Sequence, residues 1–175
     1  MDDIAFLEEL VAIPSLSGAE DVLAQHLSAR MEGMGFRVRR DALGNVIGEL
    51  GEADAERTIV LLGHMDTVPG DVPVRRGDGF LYGRGAVDAK GPLAAFVLAA
   101  ARAARQLRGM RVMVVGAVEE EARSRGARHL AGTVTPPDGV IIGEPSGWEG
   151  ITLGYKGTLC VDYRLTRAAG HGAGD

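Results

Sequence analysis

Acidic side chains and one histidine follow directly after three separate apolar runs of the sequence. They are His64 and Asp66 after TIVLLG, the triplet Glu119-Glu120-Glu121 after RVMVVGAV, and Glu144 after GVIIG. If these runs are parallel strands, the groups that follow them converge at one edge of the sheet. One imidazole with several carboxylates suits Zn²⁺, Co²⁺ or Mn²⁺ in a catalytic site, whereas a structural zinc site would be rich in cysteine.

A further carboxylate stands in the glycine-rich segment LYGRGAVDAKG. Gly83 and Gly85 permit sharp turns that would aim Asp88 at the same edge. The segment partly resembles a dinucleotide-binding fingerprint, but Asp88 occupies the place of the third glycine and no strand leads directly into it. The carboxylate would also repel phosphate, which argues against nucleotide binding. Helix capping, or pairing with Arg84, Lys90 or Arg123, would account for only one or two of these acids.

The elements that must position these groups alternate along the chain. The three runs are apolar throughout, which predicts strands buried on both faces of a mostly parallel sheet. Ser17 and Glu20 have the spacing of a capping box for a helix. The other predicted elements are helices over 3–13, 91–107 and 122–132 and a hairpin over 36–50 that turns at Gly44-Asn45. The pattern predicts an α/β fold with helices on both sides of the sheet.

Composition excludes several classes of protein. The formal net charge of −5 argues against a general nucleic-acid binder. No apolar run approaches the roughly 18 residues of a membrane-spanning helix, and the acidic N-terminus is neither a signal nor a transit peptide. Cys160 is the only cysteine, so no intrachain disulfide can form, and we expect a cytoplasmic protein. The apolar run around Cys160 predicts a buried core thiol.

Four ordered motifs resemble those of the M20 metallopeptidase and deacetylase family. They are GHMDTVPG, GRGAVDAKG, the acidic triplet with a glycine five residues after its last member, and GEPS. The short stretch between the first two motifs and the segment GEPSGWEGITLGYKG are most similar to one branch of that family. That branch releases lysine or ornithine from an amino-group carrier protein in lysine and arginine biosynthesis. The resemblance implies a metal-dependent hydrolase that cleaves a linear amide bond.

The resemblance also implies roles for individual residues around two divalent metal ions, with Zn²⁺ expected and Co²⁺ or Mn²⁺ as alternatives. His64 would bind the first metal, and Asp66 would orient the imidazole of His64. Asp88 would bridge the two metals. Glu144 would complete the first metal site.

The acidic triplet can be aligned with the family pattern in two registers. Counting back five residues from Gly126 makes Glu121 a ligand of the second metal and Glu120 the general base. In the alternative register, Glu119 is the base and Glu120 is the ligand.

The resemblance further predicts an incomplete zinc-exopeptidase-like catalytic domain. Residues 1–167 would be its N-terminal part, and residues 168–175 the start of an absent lid and dimerisation domain, with His171 matching a lid histidine that helps to hold the oxyanion. The family implies a homodimer for the full-length protein. The alternatives are a truncated fragment that binds metal without catalysis, or an exopeptidase that acts on free peptides.

Overall fold

The computed structural model describes residues 2–147, 149–154, 156–157 and 159–166. The chain divides into two compact units, Met1–Pro145 and Ser146–Asp175. The described residues of the second unit form neither helix nor strand. The predictions for His171 and for a lid segment over 168–175 lie outside the described residues.

The first unit contains both helices and strands: two helices are followed by five strands, and only the later elements alternate. Its helices are α1 (Asp3–Ala12), α2 (Asp21–Gly33), α3 (Lys90–Ala103), which runs into a 3-10 turn, and α4 (Arg125–Thr133). Its strands are β1 (Arg37–Arg40), β2 (Val46–Gly51), β3 (Arg57–His64), β4 (Arg75–Gly77), β5 (Phe80–Tyr82), β6 (Met110–Ala117) and β7 (Gly139–Ile142). Among the described residues, no helix is both long enough and apolar enough to cross a membrane.

The central sheet brings the three predicted strands side by side. The strand order is β1-β2-β6-β3-β7, and β3 pairs in parallel with both β6 and β7. The predicted hairpin is confirmed as the antiparallel pair of β1 and β2, and β2 also pairs antiparallel with β6. The carboxyl ends of β3, β6 and β7 therefore lie at one edge of the sheet. β4 and β5 form a separate ribbon. Because β5 ends directly before Gly83, the expectation that no strand leads into the glycine-rich segment is wrong.

Helices cover the two faces of the sheet. Val112 and Val114 of β6 belong to the core cluster that includes side chains of α1, α2 and α3. Met113 and Val115 belong to a second cluster with Leu130 of α4. Because neighbouring side chains of a strand point to opposite faces, the two clusters lie on opposite sides of the sheet. The predicted α/β layering is confirmed.

The prediction that all three apolar strands are buried on both faces is wrong for β7. Its residues Val140, Ile141 and Ile142 are 51%, 55% and 62% exposed. β7 lies at the end of the strand order and, among the described residues, pairs only with β3. The prediction of a buried Cys160 thiol is also wrong, because that residue is exposed. No helix or strand forms around it in the described part of its unit.

The predicted capping box at the start of α2 is wrong as well. Glu20 stands at the N-cap position of α2, but its side chain makes no capping hydrogen bond. The Ser17 hydroxyl donates to Asp66 at 2.6 Å, and Glu20 accepts the backbone N–H of Glu119 at 2.9 Å. Both side chains therefore contact the region that follows β3 and β6.

Lys90, the first residue of α3, is 1% exposed and does not pair with an acid among the described residues. Its Nζ donates to the carbonyl oxygens of Leu10 at 3.0 Å and Ile13 at 2.7 Å. The last carbonyls of a helix lack partners within the helix. Lys90 thus ties the start of α3 to the end of α1.

Candidate metal centre

His64 is the last residue of β3 and the buried centre of the candidate site, with 1% exposure. Its Nδ1 donates to the backbone carbonyl of Asp66 at 2.9 Å. This leaves Nε2 facing the acids, with Asp88 Oδ1 at 3.0 Å, Glu144 Oε1 at 3.9 Å and Glu120 Oε2 at 4.0 Å. The structure therefore gathers groups from the ends of β3, β6 and β7 and from the start of α3 around one ring nitrogen.

The charges around His64 change its acidity. Burial alone would lower the pKa of the imidazole. The hydrogen bonds with the side chains of Asp66 and Asp88 and the negative charge of Glu144 outweigh burial and raise the pKa of His64 to about 9.

Asp66 is fully buried and accepts hydrogen bonds from both sides of the site. Its Oδ1 accepts the backbone N–H of Glu120 at 2.9 Å, and its Oδ2 accepts that of Glu121 at 3.0 Å and the Ser17 hydroxyl at 2.6 Å. Burial opposes ionisation, but the bonds with His64, Ser17 and the two amides lower the pKa of Asp66. The buried carboxylate of Asp66 therefore holds the backbone of Glu120 and Glu121, and its Oδ1 also lies 3.4 Å from Nδ1 of His64.

Two of the three acids of the triplet face His64, and the third does not. Glu119 adopts a left-handed backbone conformation with φ of 56°, and its carboxylate pairs with Arg125 at 2.8 Å. The carboxylates of Glu120 and Glu121 instead turn towards His64. The structure thus brings together Glu120 and Glu121, but not Glu119, with the other predicted site residues.

Two groups of ligand atoms could each hold a divalent cation. Atoms of His64, Asp88 and Glu121 lie within 4.8 Å of one another, and so do atoms of His64, Glu120 and Glu144. Both groups share His64. The motif resemblance implies that Asp88 and Glu144 join His64 on the first metal. Both carboxylates approach Nε2 of His64, but they fall in different groups.

The electrostatics of this site fit bound cations. Burial raises the pKa of Glu121, and the neighbouring charge of Asp88 adds to the rise. Burial also raises the pKa of Glu144, with the charges of Glu120 and Asp88 contributing. Carboxylates this close repel one another when ionised, and divalent cations remove that repulsion. The oxygen and imidazole donors are of the type that Zn²⁺, Co²⁺ and Mn²⁺ accept.

Residues 60–171 match the pattern of Peptidase family M20/M25/M40. The chain belongs to this family. Its fold resembles that in the crystal structure of aminopeptidase PepT from Bacillus cereus, with a TM-score of 0.71. That likeness, at 24% sequence identity, covers 83% of this chain and 43% of the aminopeptidase chain.

Two curated proteins that are similar to this chain carry related names. The LysW-lysine hydrolase of Deinococcus radiodurans is 48% identical over 97% of this chain and 47% of its own length. A protein of Pyrococcus furiosus named as a putative LysW-lysine/LysW-ornithine hydrolase is 44% identical over 98% of this chain and 50% of its own length. The chain therefore spans about half the length of these M20 relatives.

Sequence reasoning missed three residues around this M20 site. Ser17 and Glu20 have a recognisable spacing, but it indicated a helix cap. Asn45, predicted only as a turn residue, is fully buried and accepts the backbone N–H of Val118 at 3.0 Å. No local sequence signal reveals these contacts, since the partners lie 49 to 99 positions apart along the chain.

Proposed function

We propose that this chain is the metal-binding part of a two-metal amidohydrolase. The observation that carries the proposal is the approach of Asp88, Glu120 and Glu144 to within 3.0–4.0 Å of Nε2 of the buried His64. His64, Asp88 and Glu144 would hold the first cation, and Asp88 and Glu121 would contribute to the second. Zn²⁺ is the ion that this donor set favours, with Co²⁺ and Mn²⁺ as alternatives.

The proposed reaction is hydrolysis of an amide bond. When bound, the cations would supply a Lewis acid for the amide carbonyl and make water more acidic. Glu120 is the general base: its side chain is 41% exposed, so it can meet both water and substrate. Its carboxylate takes the proton from the attacking water and returns it to the leaving amine. The Arg125 pair holds Glu119 away from His64, which supports Glu120 as base and Glu121 as ligand.

The proposed substrate is lysine or ornithine linked through an amide to LysW, the carrier protein that the motif resemblance implies. The names of the two curated relatives support this choice. The corresponding reaction belongs to amino-acid biosynthesis in the cytoplasm. We assign residues 1–167 to the N-terminal part of the catalytic domain and residues 168–175 to the start of a lid domain, and we propose that the full-length protein is a homodimer.

The test combines metal analysis with a substrate panel. A protein that includes this chain and is as long as its relatives would be loaded with Zn²⁺ or Co²⁺. It would then be assayed on LysW-linked lysine and ornithine, on N-acetyl-lysine and N-acetyl-ornithine, and on free dipeptides. We expect two metal ions per chain and preferred hydrolysis of the LysW-linked amides. Preference for dipeptides would instead identify an exopeptidase, and one bound metal without any hydrolysis would identify a non-catalytic metal-binding protein.

A further inference from the structure

Four successive backbone N–H groups directly after β6 are each bound by a side-chain oxygen. The four bonds run from Val118 to Asn45 Oδ1 at 3.0 Å, from Glu119 to Glu20 Oε1 at 2.9 Å, and from Glu120 and Glu121 to Asp66 Oδ1 and Oδ2 at 2.9 and 3.0 Å. The three acceptor side chains come from three distant parts of the chain. Each acceptor residue is at most 6% exposed.

This segment needs such support because it leaves the sheet in a costly conformation. β6 ends at Ala117, so the amides that follow have lost the partners of the strand ladder. Glu119 then adopts a left-handed φ of 56°, which L-residues other than glycine rarely do. The surrounding side chains must therefore hold the turn that aims the next two acids at His64.

Asn45 is fixed in its orientation by its own hydrogen bonds. Its Nδ2 donates to Asp41 Oδ2 at 2.6 Å and to the Gly126 carbonyl at 3.2 Å, while Oδ1 accepts the Val118 amide. Only one placement of the amide oxygen satisfies all three contacts. Asn45 thus links the β1–β2 turn to the backbone on both sides of the acidic triplet, at Val118 and at Gly126.

Glu20 holds the residue at the centre of the turn. Its Oε1 accepts the Glu119 amide, while the Glu119 carboxylate is directed to Arg125. The side chain of Glu20 does not cap α2, although Glu20 stands at the N-cap position. Its buried carboxylate serves the turn after β6.

We propose that Glu20 and Asn45 are positioning residues, which place Glu120 and Glu121 at the metal centre through the backbone of the segment 118–121. The inference rests on the proposed function for the part that concerns metal binding. It adds two residues from the first 45 positions of the chain to a site otherwise formed at the ends of β3, β6 and β7 and the start of α3. Residues that orient the ligands of a metal typically contribute a factor of about 10–100 to metal affinity.

The first test needs no metal. Hydrogen exchange of the backbone amides of residues 118–121 would be measured in the metal-free chain for two variants of Glu20. Glu20→Gln keeps an acceptor oxygen at the same reach, whereas Glu20→Asp keeps the charge but withdraws the oxygen by one methylene. We expect the Glu119 amide to exchange about 10-fold faster in Glu20→Asp and near the wild-type rate in Glu20→Gln. Asn45→Ala should have the same effect at Val118.

The second test measures Co²⁺ affinity and the visible absorption of bound Co²⁺ in the same variants. We expect Glu20→Asp to lose affinity by about 10-fold and to alter the spectrum, with Glu20→Gln close to wild type. Glu49→Asp is the matched control, because Glu49 is also largely buried, at 19% side-chain exposure, but pairs with Arg37. This control should change neither measurement.

The outcomes separate the inference from the proposed function. Unchanged exchange at Glu119 and unchanged Co²⁺ binding in Glu20→Asp would overturn the inference, and so would equal losses in Glu20→Asp and Glu20→Gln. A wild-type chain that binds no Co²⁺ would refute the metal centre itself. The exchange measurement would then still decide whether Glu20 and Asn45 hold the segment.

Discussion

The carboxylate of Asp66 accepts the backbone N–H of Glu120 at 2.9 Å, although the two residues are 54 positions apart in the chain. The same carboxylate binds the amide of Glu121 and the hydroxyl of Ser17, and it lies beside the imidazole of His64. The family resemblance implies only that Asp66 orients His64. The structure shows that Asp66 also connects the end of β3 to the segment after β6.

Asp66→Asn should therefore damage more than the orientation of one histidine. The variant keeps one oxygen acceptor, but its amide NH₂ would face the N–H of either Glu120 or Glu121, where two donors oppose each other. We expect Co²⁺ affinity to fall by about 10–100-fold and the free energy of unfolding to fall by about 2 kcal/mol. Isothermal titration and urea unfolding measure these changes. Asp71→Asn, at an exposed position of the same loop, is the control, and equal behaviour of the two variants would contradict the role of Asp66.

Glu120→Gln should separate catalysis from metal binding. The glutamine cannot take a proton from water, so we expect kcat to fall by about 10²–10⁴-fold in protein of the relatives' full length. Metal content, measured by atomic emission, should remain that of the wild type. Glu119→Gln tests the other register of the triplet, because Glu119 pairs with Arg125 and should retain most of the activity. Loss of metal from Glu120→Gln would show that Glu120 is a ligand instead.

The strands that carry the site are predictable from the sequence because each is a continuous apolar run that ends in a chelating side chain. Parallel pairing then places His64 and Glu144 at one edge, and the structure has them there. The exposure of β7 is not predictable in the same way, because its sequence is as apolar as that of the buried β6. What differs is its place in the strand order, which only the tertiary structure sets.

The contacts of Ser17 and Glu20 show why the rest of the site escapes sequence reasoning. Their spacing satisfies the local rule for a capping box, and a helix does begin at Asp21. The competing partners, Asp66 and the amide of Glu119, are brought close by folding alone. A local pattern cannot indicate a partner 49 or 99 positions away.

Lys90→Met should remove a rise of stability with pH. Burial lowers the pKa of Lys90 from 10.5 to about 8. Between these values the unfolded chain retains a proton that the folded chain has lost, so the free energy of unfolding increases with pH. The difference between these two pKa values corresponds to about 3 kcal/mol in the free energy of unfolding.

The measurement is urea unfolding of the metal-free chain from pH 7.5 to 10.5. The free energy of unfolding of the wild type minus that of Lys90→Met should rise across this pH interval. Taking this difference cancels the titration of the other groups. Lys156→Met, at an exposed position, is the matched control. A constant difference between wild type and Lys90→Met would show that burial does not hold Lys90 in its neutral form.

Gly126→Ala should destabilise the segment that carries the acidic triplet, although alanine favours helices. A Cβ at Gly126 would lie 2.3 Å from Asn45 Oδ1 and 2.7 Å from both the nitrogen and the oxygen of the Val118 backbone. Relief of these contacts requires the backbone to move, and such overpacking costs about 1–3 kcal/mol. Gly132 lies in the same helix with nothing within 4 Å of an added Cβ. Gly132→Ala should accordingly be neutral or stabilise by up to about 1 kcal/mol, and urea unfolding that ranks the two variants equally would refute this packing argument.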